Sequence, residues 1–325
     1  MNRLSCLAKL ALIAALSTVF AIGAVAQSYP SKQITIIAAF PPGGTVDLLA
    51  RTLGYKLSDD WKRPVIVENR AGASGIIGSQ VVAKAAPDGY TLLIIPITHV
   101  TNASLYDKLP FDPIRDFTPI SLLASQPLML VVNESLPIKT TNDLINYAKA
   151  YPGKLNCGSG GNGTSQHLAC ELFKSMAHVD IKHIPYKGNA AAMTDVIGGQ
   201  IEILFDQMAT AVPHVKAGKV KALAVTTEKR STAMPNIPTI AESGVPGYEA
   251  TAWFGVVGPA GMPKELVGRI QSEFGRVLAL PDVKERLSSQ GLDLIGSTPD
   301  EFGALLKSEL GKWAKVIKES GARLD

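Results

Sequence analysis

The sequence predicts an α/β protein of two doubly wound lobes joined by a two-strand hinge. Three observations predict it. Short β-branched or apolar runs alternate with longer segments of helical periodicity, the pattern of a parallel sheet covered by helices. The chain has 325 residues, and even without its first 26 it exceeds what one hydrophobic core usually fills. No repeat, low-complexity tract or long linker divides it into consecutive halves, so one lobe is expected as an insertion in the other. Residues 27–127 with 248–325 would then form the first lobe and residues 128–247 the second, with two strands crossing between them as a hinge.

The N-terminal 26 residues have the build of a secretory leader: Arg3 and Lys9, an apolar run from Leu10 to Val25, and Ala24-Val25-Ala26 at the close. Cleavage is expected after Ala26. The run falls short of the ~20 residues a spanning helix needs and contains Ser17, Thr18 and Gly23, which argues against a retained anchor. Cys6 precedes the apolar stretch instead of ending it, which argues against a lipid anchor. Loss of Arg3 and Lys9 takes the formal charge from +4 to +2, and the remaining basic residues are interspersed with acids. Nucleic acid and acidic membranes are therefore disfavoured partners.

Strands are predicted over Gln33 to Ala39, Pro64 to Glu68, Thr91 to Pro96, Leu128 to Val132, Lys154 to Cys157, Ile181 to Pro185, Ile201 to Phe205 and Val220 to Val225. Between them, Leu48, Leu49, Leu53 and Leu57 fall on one face of a helix from Asp47 to Ser58, and Leu144, Ile145 and Ala148 do the same in Thr141 to Ala150. Thr298-Pro299-Asp300-Glu301 joins an N-cap, a Pro at the first helical position and a Glu three residues on, so the last helix starts there. Phe302, Leu305, Leu306, Leu310, Trp313 and Ile317 form its apolar stripe. This C-terminal region is expected to pack on the first lobe.

Two glycine loops carry the functional signal. After the first strand comes Phe40-Pro41-Pro42-Gly43-Gly44-Thr45-Val46-Asp47, in which Gly43 and Gly44 leave backbone open to a ligand and Thr45 can cap the helix that follows. The second half repeats the design with Cys157-Gly158-Ser159-Gly160-Gly161-Asn162-Gly163-Thr164-Ser165-Gln166-His167. A helix N-terminus carries unpaired N–H groups and roughly +0.5 charge, so two facing each other across a cleft would offset about one carboxylate without an arginine. Gly158-x-Gly160-x-x-Gly163 also spells the dinucleotide fingerprint, but the acidic residue expected ~20 positions on is replaced by His183. Asp206, closing the Ile201 to Phe205 strand, either receives a ligand amine or hydroxyl or caps the next segment. Cys157 and Cys170 either pair as a disulfide in an oxidising compartment or stay buried thiols.

Catalytic constellations are sparse: no GxSxG, HExxH or Cys/His cluster occurs, and the five histidines are dispersed. His167, beside the second loop, suits a pocket or capping role. Ser159, Ser165, His167 and Asp206 can be drawn as a triad only on paper, since spacing fixes none of their distances.

Six blocks carry a family resemblance: YPSKQITIIAAFPPGGTVDLLAR, VENRAGASGIIGSQVVAKAAPDGYTLL, LPFDPIRDFTPISLL, GSGGNGTSQHLACELF, HIPYKGNAAAMTDVIGGQIEILFD and LPDVKERLSSQGLDLIGSTPDEF. In this order, over essentially the whole mature chain, they resemble the Bug family, the TctC-type receptors of tripartite tricarboxylate transporters. The resemblance implies a periplasmic-binding-protein fold whose lobes close on a small carboxylate, a permease of one large and one small membrane subunit, periplasmic location, a monomer, no enzyme activity and no cofactor or metal. It also implies a ligand site of Phe40, Pro42, Gly43, Gly44 and Thr45 from the first loop, Ser159, Gly160, Gly163, Thr164 and His167 from the second, and Asp206. Thr98 and His99, after the Thr91 to Pro96 strand, are further lining candidates, and Pro185-Tyr186-Lys187-Gly188 is a block near the cleft. Gln207 and Met208 depart from the family pattern and bear on the far end of the pocket. A hydrolase using Ser159 or Ser165, or a receptor feeding a signalling partner, are the alternative readings.

Overall fold

The computed structural model describes residues 29–186, 188–231 and 234–320, so the leader and Lys187 lie outside the described residues. The first lobe opens with β1 (Ile34–Ala38), parallel to β2 (Val65–Asn69) on one side and to β3 (Thr91–Pro96) on the other. α1 (Thr45–Trp61) and α2 (Ile76–Ala83) connect them, and α3 (Thr98–Leu105) follows β3. α1 forms because Leu49, Leu53 and Leu57 recur on one face, and all three are buried against Ile34 and Ile36.

β4 (Phe117–Asn133) then runs through both lobes. As far as Pro127 it pairs antiparallel with β9 (Thr251–Pro259); from Leu128 onward it pairs antiparallel with β7 (Ile203–Gln207) and β8 (Val220–Val225). The exchange of partners between Pro127 and Leu128 is where one sheet half ends and the other begins. The chain returns beside it, where Thr226 bonds Leu128 and Ala250 bonds Thr226. Within the second lobe β5 (Asn156–Ser159) lies parallel to β6 (Lys182–Pro185) and β7. The expected parallel sheet is thus mixed: each lobe keeps a parallel trio, and the crossing strands run antiparallel to it. A strand entering from the neighbouring lobe is not constrained by a βαβ crossover.

α4 (Thr141–Ala150), α5 (Ser165–Ala177), α6 (Asn189–Ile197) and α7 (Met208–Lys216) cover the second sheet. α8 (Lys264–Leu278), α9 (Pro281–Ser288), the short β10 (Asp293–Leu294) and α10 (Pro299–Ser320) complete the chain. α10 starts as its cap predicts: Thr298 N donates to Glu301 Oε2 at 2.8 Å and Glu301 N donates back to Thr298 Oγ1 at 3.3 Å. It does not pack on the first lobe alone. One continuous core contains Phe302, Leu306, Trp313 and Ile317 of α10 together with Leu168, Leu172 and Phe173 of α5, and α10 also packs on α3. α10 is therefore a strut touching both lobes, with Ser175 Oγ donating to Glu319 Oε2 at 2.9 Å.

The disulfide alternative is corrected. Cys157 and Cys170 are free and wholly buried. Burial, then a hydrogen bond and the charge of Cys157, raise the Cys170 thiol well above its usual range, so both act as small apolar core residues.

Candidate functional site

A cavity of about 370 Å³ opens where the C-terminal ends of the parallel strands of both lobes meet. The first loop lines it with Phe40, Pro41, Pro42, Gly44, Thr45 and Val46, and the end of β3 adds Pro96, Ile97 and Thr98. The second lobe contributes Gly160, Thr164, Ser165 and Gln166, then Gly188 and Asn189, then Gln207. Ala252, Trp253 and Phe254 of β9 close it. The N-terminal ends of α1, α3, α5, α6 and α7 all reach this space, because each follows a strand of the parallel trios. Ligands in open α/β sheets favour this sheet end.

Local chemistry explains how the first loop keeps its shape. Asp47 Oδ2 accepts from Gly43 N at 3.0 Å and from Arg51 Nε at 3.1 Å, and Asn69 Nδ2 donates to Asp47 Oδ1 at 2.8 Å and to the Phe40 carbonyl at 3.1 Å. Burial alone would raise Asp47, but these bonds from Arg51, Gly43 and Asn69 hold it below the usual carboxylate range. Gly43 adopts φ +89°, a left-handed conformation that favours glycine. The N-cap of α1 is Gly44 in extended geometry, with no side-chain cap; Thr45, expected as the cap, is the first helical residue. The first-turn N–H groups have no intrahelical acceptor.

In the second loop Thr164 does cap α5, accepting from His167 N at 3.4 Å. Ser159 is fully buried: its Oγ donates to Gly161 O at 3.0 Å, accepts from Gly161 N at 3.1 Å and lies 2.7 Å from His183 Nε2. His167 Nδ1 accepts from Gly163 N at 3.0 Å, and its ring stacks on His183 at 3.9 Å. Burial, then His183 and Lys174, push His167 down to about 3, and burial with Lys174 pushes His183 down to about 4. Two neutral imidazoles thus stand under the loop as scaffolding.

The sequence candidates accordingly divide. Phe40, Pro42, Gly44, Thr45, Thr98, Gly160 and Thr164 line the cavity, whereas Ser159, Gly163, His167, His99 and Asp206 are buried behind it and Gly43 is exposed beside it. His99 is packed against Phe111 and Phe117 with Nε2 3.0 Å from the Pro113 carbonyl, and burial pushes it down to about 4. Asp206 accepts from Gln207 N at 2.8 Å and Thr210 Oγ1 at 2.7 Å, bracing the entry to α7, whose N-cap is Gln207 with no side-chain cap; it also accepts from the amide of Asn189. Burial raises it to about 6 against the lowering effect of Thr210 and Gln207. The cavity residues absent from the sequence candidates include Ala252, Trp253 and Phe254 of β9, and Gln166 and Asn189 at the starts of α5 and α6.

The paper triad has no such geometry. Ser159 hydrogen-bonds near His183 and not His167, lies outside the cavity lining, and Asp206 is engaged with Asn189, Gln207 and Thr210. Ser159, sealed beneath its loop, cannot reach a substrate; Ser165 does line the cavity, but His167 Nδ1 is taken by Gly163 N at 3.0 Å and Asp206 by its own partners.

Comparison with known proteins places this geometry. A family model described as "Tripartite tricarboxylate transporter family receptor" matches residues 49–322. The chain belongs to this family. The receptor is 36% identical to Protein BugT of Bordetella pertussis over 301 residues, covering 92% of each chain. Among solved structures it is similar to R. palustris Rpa4515 with adipate (37% identity, TM-score 0.78, covering 90% of this chain and 98% of that one). It is also similar to MatC (Rpa3494) from Rhodopseudomonas palustris with bound malate (30% identity, TM-score 0.75, covering 89% and 100%). The two-lobed solute-receptor fold follows from these similarities.

Proposed function

We propose that the receptor captures a small organic carboxylate in the cleft between its lobes, in the periplasm, and delivers it to a permease of one large and one small membrane subunit. The observation that carries this reading is the gathering of helix N-termini from both lobes around one cavity lined by uncharged groups. Unpaired first-turn N–H groups supply positive potential, and the glycines let a carboxylate approach the backbone. Relatives seen with adipate and malate support the carboxylate class. Among the described residues no helix is long and apolar enough to cross a membrane.

In this reading the β4 crossing at Pro127/Leu128 and the return at Thr226/Ala250 form the hinge, and ligand contacts to both lobes shift the population towards closure. Asp206 acts through Asn189, holding that amide against the cleft. The test is a thermal-shift and calorimetry screen of organic acids on the mature chain. Saturable binding of at least one acid, with melting temperature rising with the logarithm of ligand excess, is expected. Indifference to every mono-, di- and tricarboxylate would remove the reading.

A further inference from the structure

We infer that Asn189, its side-chain amide turned by Asp206, selects for a hydroxyl group on the bound carboxylate, which makes the ligand a small hydroxy acid. This rests on the carboxylate-receptor reading and narrows it. Asn189 opens α6 in the second lobe and lines the cavity. Behind it Asp206, 1% exposed, accepts from Gln207 N, Thr210 Oγ1 and Asn189 Nδ2. An ionised carboxylate offers acceptors only, so the NH2 end of the Asn189 amide faces Asp206 and its carbonyl end is left for another partner. Asp206, raised to about 6 by burial, is ionised at pH 7.5. Chemistry therefore fixes which way this amide points, a choice that atom positions alone leave open.

Asn189 Oδ1 is a buried acceptor with no donor, a state whose cost a ligand hydroxyl would remove. Gly160, which also lines the cavity, stands next to it: a Cβ on Gly160 would lie 3.6 Å from Oδ1, and its absence leaves that side uncovered. Among the described residues, the buried unpaired side-chain atoms include just two on residues that line the cavity, Asn189 Oδ1 and Thr98 Oγ1. They belong to opposite lobes. Thr98, 8% exposed, opens α3 of the first lobe, where its hydroxyl and the first-turn N–H groups suit a carboxylate. In the closure reading, ligand groups reach both atoms while the lobes are apart and are sealed against them as the lobes meet. A hydroxyl brings the single proton that a carbonyl needs. An ammonium would bring a charge and further protons into a cavity that no ionisable side chain lines among the described residues.

The test is calorimetry at pH 7.5 on the mature chain with pairs of acids that differ by one hydroxyl: lactate and propionate, malate and succinate, 2-hydroxyglutarate and glutarate, citrate and tricarballylate, with aspartate and glutamate alongside. The best-binding hydroxy acid should bind at least about tenfold tighter than its partner, and Asn189→Ala should bring that ratio to within about threefold. Asp206→Asn should lower the ratio as well, because an amide at 206 can donate to Asn189 Oδ1 in the ligand's place. An unchanged ratio in a folded Asn189→Ala protein would overturn the role of Asn189, whatever happens to overall affinity. A best-binding acid without a hydroxyl, whether succinate or glutamate, would overturn the hydroxyl while leaving the carboxylate receptor standing. Silence towards every acid would sink the inference and the receptor reading together.

Discussion

Replacing Gly44 by Leu separates binding from folding, because the two glycine loops differ in what their glycines are for. Gly44 has φ −85° and ψ 174°, open to any L residue, and a Cβ there meets nothing nearer than the Pro41 carbonyl at 4.0 Å. The fold should lose only the difference in N-cap preference, about 1 kcal/mol or less, which in a chain of this size lowers the melting temperature by roughly 2–4 °C. The new side chain projects where Gly44 lines the cavity, across the line of approach to the first-turn N–H groups of α1. Loss of that seat should weaken the best-binding acid at least about 100-fold, or ~2.7 kcal/mol. Gly163 is the contrast. Its φ of +77° charges any L side chain roughly 1–2 kcal/mol of backbone strain, so Gly163→Ala should lower the melting temperature without occupying the cleft. Urea unfolding and calorimetry on both variants read the two effects apart. A Gly44→Leu protein that melts normally and binds with unchanged Kd would refute the placement of the site at the first loop.

Other outcomes follow from the buried groups. His99, His167 and His183 sit below their ordinary pKa at about 4, 3 and 4, so the unfolded chain takes up protons first as pH falls. Stability is fully present above pH ~6.5 and is lost between there and pH ~4; at pH 5 fully buried His99 alone costs on the order of 2 kcal/mol. Asp206, raised to about 6, works the other way, gaining stability as pH drops through 6, so Asp206→Asn should steepen the acid loss seen in urea titrations at pH 7.5 and 5. Glu309→Ala leaves two buried indole N–H groups unpaired and should cost about 1–3 kcal/mol each by chemical denaturation. Gly75→Ala, strained at φ +91° and pressed on Phe40, should weaken ligand binding as well as stability. Thiol labelling without reductant should find Cys157 and Cys170 unreactive in the native protein and both reactive after unfolding; a missing pair of thiols would restore the disulfide.

The fold was legible wherever a property is local. The eight predicted strands each have an observed counterpart, with ends shifted by a few residues except at the start of β4, because β-branched runs and glycine punctuation act within a handful of positions. β9 escaped notice: Thr251–Pro259 is buried along nearly its whole length, so it shows no alternation to mark it. The long reach of β4 was read only at its end, since Phe117 to Pro127 pairs with a strand more than a hundred residues away. The glycine loops were legible as loops, but which of their atoms face outward was not. Ser159 and His167 look like ligand groups in one dimension, and turn inward because Gly161, Gly163 and His183 complete their hydrogen bonds.

Composition, periodicity and the glycine loops by themselves determined an α/β chain with two helix starts suited to an anion, since caps, turns and amphipathic faces are set by neighbours within a few residues. Only the tertiary structure decided that these starts share one cavity, that α10 braces both lobes, and that Trp253, Phe254 and Asn189 join the lining. Those facts depend on strand pairing and side-chain burial between segments far apart in the chain, where local preference carries no information.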